Sequence, residues 1–199
     1  MLLSNLSKVI RVNKTYNFNK NKYFSAITSN SKFTNNKTLF IYDKNTKVKK
    51  IYLNEALKSN TPAIISNKYI KNLKIPQFVV SNITFEIYSL LNKLHNNLPF
   101  KTIAVTGTNG KTSVVWYISK ILNSLKYNNT TVGTLGHFKN GKKINDINLT
   151  TPAYEELFKY GSSNKREKNI YIFEASSHAL EQNRLRNYPI NIAVITNIS

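Results

Sequence analysis

A chain of 199 residues with 41% hydrophobic and 12% aromatic residues can bury a core, which excludes a disordered tail. Cysteine is absent, which excludes disulfide frameworks and thiolate metal sites, and no run reaches the ~20 apolar residues of a membrane-spanning helix. The formal charge of +20 suits nucleic acid or an anionic membrane surface, but nearly all of it is lysine spread along the whole length, with asparagine used as heavily, so it reads as compositional drift.

Met1–Ile10 has apolar residues at helical spacing, broken by Ser, Asn and Lys, and predicts an amphipathic first helix. The lack of acids before Asp43 leaves an organelle transit segment as its alternative. Strands are expected at Tyr23–Thr28 and Leu39–Tyr42, a loop at Asp43–Lys50, a weak helix at Ile51–Lys58, and short strands at Pro62–Ile65 and Phe78–Val80. Asn82 stands as N-cap of a helix from Ile83 to His95, with Ile87, Leu90, Leu91 and Leu94 on one face. Asn96-Asn-Leu-Pro99 reads as a linker.

Beyond it come a strand at 102–106, a helix at 111–126 and the strand Thr130–Gly136, which ends in glycine. His137–Asn148 reads as a polar loop. Thr151 is a candidate cap, with Pro152 in the first turn of a helix that stops at Gly161. Ser162–Lys168 is a charged loop, Ile170–Phe173 a buried strand, the stretch to Arg186 a short helix, and Ile192–Ile195 the last strand. Strands alternating with helices predict an α/β fold: a small N-terminal α/β domain over 1–97, then over 98–199 the first part of a mostly parallel, P-loop-type ATP-binding domain. Ligands of such sheets bind beyond the carboxyl ends of the strands, where the glycine turn, Glu174 and Thr196-Asn197 all fall.

Thr106-Gly-Thr-Asn-Gly-Lys-Thr-Ser113 joins a strand to a helix. Backbone N–H groups and the positive helix end suit phosphate oxygens, Lys111 adds a point charge, and the Thr112 hydroxyl can ligate Mg²⁺. The common pattern has glycine five residues before Gly110, where this chain has Val105, so the loop is a variant of its class. His178 beside Ser176 and Ser177 lacks an evident acid partner and the geometry of a hydrolase, and His95 and His137 lack companions for a zinc site.

Thr106–Thr112, Leu149-Thr-Thr-Pro152 and Glu174-Ala-Ser-Ser-His-Ala-Leu-Glu-Gln-Asn-Arg184, in this order, resemble the Mur ligase family, and in it the UDP-N-acetylmuramoyl-tripeptide synthetase branch. The resemblance covers 100–199 strongly. It is weaker over 23–97, where Asn30-Ser31-Lys32 matches an Asp-Ser-Arg-like turn. It implies a reaction in which ATP phosphorylates the D-Glu carboxylate of UDP-MurNAc-L-Ala-D-Glu and a diamino acid's amine displaces phosphate. Gly107, Thr108, Asn109, Gly110, Lys111, Thr112 and Ser113 would bind ATP, Lys111 and Glu174 would be catalytic, and Thr112 and Glu174 would hold Mg²⁺. Ser29 and Ser31 would meet the uridine end, and Thr150, Thr151, Ser176, Gln182 and Arg184 the rest of the UDP-sugar substrate. The implied enzyme is a cytoplasmic monomer with no nucleic-acid partner and no integral membrane segment.

Two departures stand out. Asp43–Lys50 lacks the family's glycines. The Asp-His pair and carbamylated lysine that follow in the family, and its C-terminal domain, are not in the 199 residues, so the chain reads as an N-terminal part, inactive by itself. The alternatives are a non-catalytic nucleotide- or UDP-sugar-binding module and a basic nucleic-acid-binding protein. A folate polyglutamylating ligase fits less well because of the Ser-Ser-His stretch.

Overall fold

The computed structural model of the chain describes residues 1–18, 21–44, 50–95, 98–147, 149–162, 168–182, 184–185 and 187–198. Asn96 and Asn97 of the expected linker at 96–99, most of the loop at 43–50 and most of that at 162–168 lie outside the described residues. The chain forms two compact units, Met1–Leu94 and His95–Ser199.

The first unit holds a five-stranded sheet built from β1 (Lys14–Tyr16), β2 (Ala26–Thr28), β3 (Thr38–Tyr42), β4 (Ile64–Ser66) and β5 (Gln77–Val79), in the order β1-β5-β4-β3-β2. Strands β2 to β5 run parallel, and β1 pairs antiparallel with β5. Every residue of β3 is buried, as its unbroken apolar run requires of a central parallel strand. Phe40, Tyr42 and Ile64 pack against Leu53 and Ala56 of helix α1 (Lys50–Lys58). Helix α2 (Ile83–Leu94) buries Ile83, Ile87, Leu90 and Leu91, and Asn82 caps it by accepting from the Phe85 N–H.

Two expectations change here. Met1–Ile10 contains a 3-10 turn, Leu3–Lys8, instead of an amphipathic α-helix. Leu3 and Leu6, both buried, sit one 3-10 turn apart. The edge strand β1 was not expected, because Lys14-Thr-Tyr16 is polar and gains its place only by pairing with β5.

The second unit contains β6 (Lys101–Thr106), α3 (Lys111–Ser124), β7 (Asn129–Gly133), β8 (Gly136–Lys139), β9 (Lys142–Asn145), α4 (Tyr154–Gly161), β10 (Ile170–Glu174), α5 (Ser177–Glu181) and β11 (Ile192–Ile195). Its sheet has the order β11-β6-β10-β7-β8-β9. The first four strands of that order are parallel, and β8 and β9 continue antiparallel. Residues 137–145 of the expected loop are thus two strands. Asn140 and Gly141, with φ of 49° and 77°, form the tight turn between them, a conformation that an Asn-Gly pair adopts readily.

Strand alternation sorts the two faces of β10. Ile172 points to α3 and packs with Val105 and Val115, while Tyr171 and Phe173 face the other way toward Tyr188. Glu174 shares the parity of Ile172 and so projects toward the start of α3. Full burial of a side chain such as Ile172 is worth roughly 1.5–3 kcal/mol, so this packing fixes the height of the strand end.

Candidate functional site

The site begins at the end of β6. Val105 is fully buried within the strand and pairs with Glu174 on one side and Val194 on the other. It is therefore a core residue, and the turn starts two residues later, at Gly107. A Cβ on Gly107 would lie 2.1 Å from the Thr196 hydroxyl and 2.8 Å from the Asn197 carbonyl, and its φ of +137° also calls for glycine. Gly110, at φ +81°, turns the chain into α3.

Residues just beyond β11 tie the loop down. Thr108 N–H donates to the Asn197 carbonyl at 3.1 Å, Asn109 N–H to Asn197 Oδ1 at 2.9 Å, and Thr196 Oγ1 to the Asn109 carbonyl at 2.6 Å. The sequence placed Thr196 and Asn197 at this edge without a task. They are the loop's scaffold. Lys111 folds over the loop, its Nζ donating to the carbonyls of Gly107 at 2.5 Å and Thr108 at 3.0 Å. The amides of Lys111, Thr112 and Ser113 open the helix, in the first turn, where an α-helix has no carbonyl of its own to receive them.

Across the loop, Thr112 Oγ1 donates to Glu174 Oε2 at 2.9 Å. Glu174 is only 2% exposed, yet its carboxylate is well supplied with donors. Thr134 N–H donates to Oε1 at 2.8 Å, and Thr134 Oγ1 to Oε2 at 3.2 Å. A Cβ on Gly133 would lie 2.1 Å from Oε1, so the carboxylate fills the room a side chain there would take. Sequence reading missed Gly133 and Thr134; glycine closing a strand was the visible signal.

The expected substrate residues of this unit also gather. Thr150 Oγ1 lies 3.2 Å from Thr134 Oγ1. Thr151, expected to cap α4, is buried and works elsewhere: its hydroxyl donates to the Glu174 carbonyl at 2.8 Å and accepts from Ser176 N–H at 2.9 Å. Helix α4 starts later, with Ala153 as N-cap and Glu156 reaching back to its N–H at 3.2 Å. Ser176 caps α5 by accepting from Ala179 N–H. Arg184 donates from Nη1 to the Thr151 carbonyl at 3.0 Å, and from Nε and Nη2 to Gln182 Oε1 at 2.8 and 2.6 Å. Gln182 in turn meets His178 Nε2 at 2.7 Å.

In the first unit, Ser29 is exposed, but Ser31 is buried and donates to Glu55 Oε2 at 2.6 Å. Thr108, Asn109 and Ser113 are exposed around the loop.

The Thr112 and Glu174 oxygens suit a hard cation that keeps waters and phosphate oxygens as its other ligands. The loop's positive-φ glycines, the helix start and the Lys111 ammonium suit phosphate oxygens. The donor set therefore fits a magnesium nucleotide.

Residues 105–199 match the Mur ligase middle domain. The chain is 33% identical over 193 residues to the UDP-N-acetylmuramoyl-L-alanyl-D-glutamate–2,6-diaminopimelate ligase of Rickettsia prowazekii, covering 92% of the chain and 40% of that protein. It is 30% identical to the ligase of the same name from Alkaliphilus oremlandii, covering all of the chain and 41% of the relative. A solved structure of a ligase of that name superposes with a TM-score of 0.67 at 26% identity, over 88% of this chain and 37% of that one. The MurF ligase of Thermotoga maritima, solved with ADP, shares the fold at a TM-score of 0.53 and 20% identity, over 86% of this chain and 37% of its own. The chain thus spans about two fifths of the length of these curated relatives.

Proposed function

This chain belongs to the Mur ligase family, and on that footing we propose that it serves an ATP-dependent amide ligase of peptidoglycan precursor synthesis. The reaction joins a diamino acid, 2,6-diaminopimelate in the relatives' names, to UDP-MurNAc-L-Ala-D-Glu through an acyl phosphate. We assign 1–97 to the UDP-sugar end and 98–199 to part of the ATP-binding domain. Its place would be the cytoplasm.

The observation that carries this reading is the Thr112–Glu174 oxygen pair beside the Gly107–Lys111 loop. In phosphoryl transfer the protein positions groups and neutralises charge. The loop amides and Lys111 would hold the ATP phosphates, and Thr112 with Glu174 would hold Mg²⁺, which when bound offsets charge developing on the transferred phosphate. Thr150, Thr151, Ser176, Gln182 and Arg184 would orient the sugar substrate. The hydrogen bonds of Thr151 with Ser176, of Arg184 with Thr151 and Gln182, and of Thr150 with Thr134 support this by fixing these residues before substrate arrives.

The test is phosphate release from ATP by protein made from the complete reading frame, measured with and without UDP-MurNAc-dipeptide and diaminopimelate. Release should need both, and Lys111→Ala should abolish it. Release that ignores either substrate, or survives Lys111→Ala, rejects the reading. The 199-residue chain, which spans about two fifths of these relatives' length, should bind nucleotide by itself.

A further inference from the structure

We propose that Thr134 is a positioning residue for the cation-binding carboxylate, an inference that rests on the reading of Thr112 and Glu174 as the Mg²⁺ pair. Thr134 and Leu135 form the two-residue turn between β7 and β8, closed by the pairing of Gly133 with Gly136. The hairpin therefore fixes the Thr134 backbone before any ligand arrives.

From that turn Thr134 reaches both oxygens of one carboxylate. Its N–H holds Oε1 at 2.8 Å and its hydroxyl holds Oε2 at 3.2 Å. Thr112 meets Oε2 alone. The two Thr134 bonds differ in freedom. The N–H is part of the turn and cannot rotate, so Oε1 is pinned and Oε2 is the oxygen left beside Thr112. The hydroxyl can rotate, and Thr150 Oγ1, also 3.2 Å away, offers a second acceptor. Oε2 is thus held in place by a bond that can be relinquished without leaving the Thr134 hydroxyl unpaired. Gly133 completes the device, because a side chain there would occupy the position of Oε1.

A buried carboxylate without such support would choose among rotamers, and ligand geometry depends on groups that orient the ligands from behind. Removing the hydroxyl should loosen Oε2 while leaving the phosphate loop untouched. The effect belongs in Mg²⁺ dependence, not in nucleotide binding as such.

The experiment titrates Mg²⁺ into the 199-residue chain with a fluorescent ATP analogue, for wild type, Thr134→Val, Thr134→Ser and Glu174→Gln. Thr134→Val should raise the Mg²⁺ concentration for half-maximal binding about tenfold, the scale of a lost hydrogen bond to a charged group. Binding without Mg²⁺ should not change, and Thr134→Ser should restore the wild-type curve to within about twofold. If Glu174→Gln abolishes the Mg²⁺ dependence while Thr134→Val matches wild type, the inference is wrong and the reading of the site stands. If Glu174→Gln changes nothing, the Mg²⁺ reading fails and the inference goes with it. Should Thr134→Val not fold, Thr134→Ala removes the same hydroxyl without adding bulk and carries the comparison.

Discussion

Thr112 donates its hydroxyl proton to Glu174 at 2.9 Å, although the two residues lie 62 positions apart. Their meeting follows from sheet order. Strand β10 inserts beside β6 with Glu174 opposite Val105, so an acid at one strand end faces the helix that starts after the next. Gly133 makes the remaining room. Gly133→Ala should cost about 1–3 kcal/mol, as overpacking does in a tight site. Chemical denaturation measures the cost, and an unchanged midpoint would show that the carboxylate moves aside freely.

Thr151 links the two halves of the candidate site through the Glu174 carbonyl and the Ser176 amide. Thr151→Val leaves both groups without that partner and should destabilise the chain by about 1–3 kcal/mol. Thr151→Ser should restore most of it. Equal melting of the valine and serine variants would mean that packing alone, not the hydroxyl, holds the position.

Tyr171 offers a change in the opposite direction. Its ring is fully buried beside Phe173, with centroids 5.4 Å apart, and its hydroxyl has no hydrogen-bond partner among the described residues. Burial pushes that phenol well above its ordinary pKa. Tyr171→Phe removes an unsatisfied polar atom and keeps the ring, so it should raise stability by up to about 1–3 kcal/mol. A loss in thermal melting would reveal a partner for the hydroxyl, such as a buried water.

The histidines give a pH dependence. Burial lowers the pKa of His137, the Asn145 hydrogen bond opposes it in part, and Lys159 adds to the lowering. Burial and then Lys159 lower His95. A folded pKa below the unfolded value near ~6.5 means that the unfolded state binds protons first. Their contribution is thus complete above the unfolded value and is lost as pH falls through it toward the folded one. Glu156, raised by burial, acts in the opposite sense from a lower starting point. Melting between about pH 7.5 and 6 should decline in wild type and flatten in a His95→Gln, His137→Gln double variant. Parallel slopes in the two proteins would contradict this.

What could be read from the sequence was what local chemistry decides. The turn Gly107–Gly110 followed by Lys111-Thr112 is written in neighbouring residues, and Glu174 stood out as an acid ending an apolar strand. Thr134 was invisible because its meaning is tertiary, set by a carboxylate 40 positions away. Thr151 misled for the same reason: beside Pro152 it has a good local motive to cap a helix, and a contact with β10 overrides it. Strands β8 and β9 lacked an apolar signal because β9 is exposed throughout, though Asn140-Gly141 was a turn marker in plain sight. Val105 likewise breaks the usual phosphate-loop pattern because the strand needs a buried apolar residue there.

Gly107–Thr112 and Glu174 would together form one magnesium-nucleotide site. Calorimetric titration of ATP into the 199-residue chain, with and without Mg²⁺, tests it most directly. Wild type should bind more tightly with Mg²⁺, and Lys111→Ala should bind at least about tenfold more weakly, having lost a charge-assisted contact. Glu174→Gln should bind nucleotide but lose the gain from Mg²⁺. Equal affinities for all three proteins, indifferent to Mg²⁺, would mean that these residues do not form such a site.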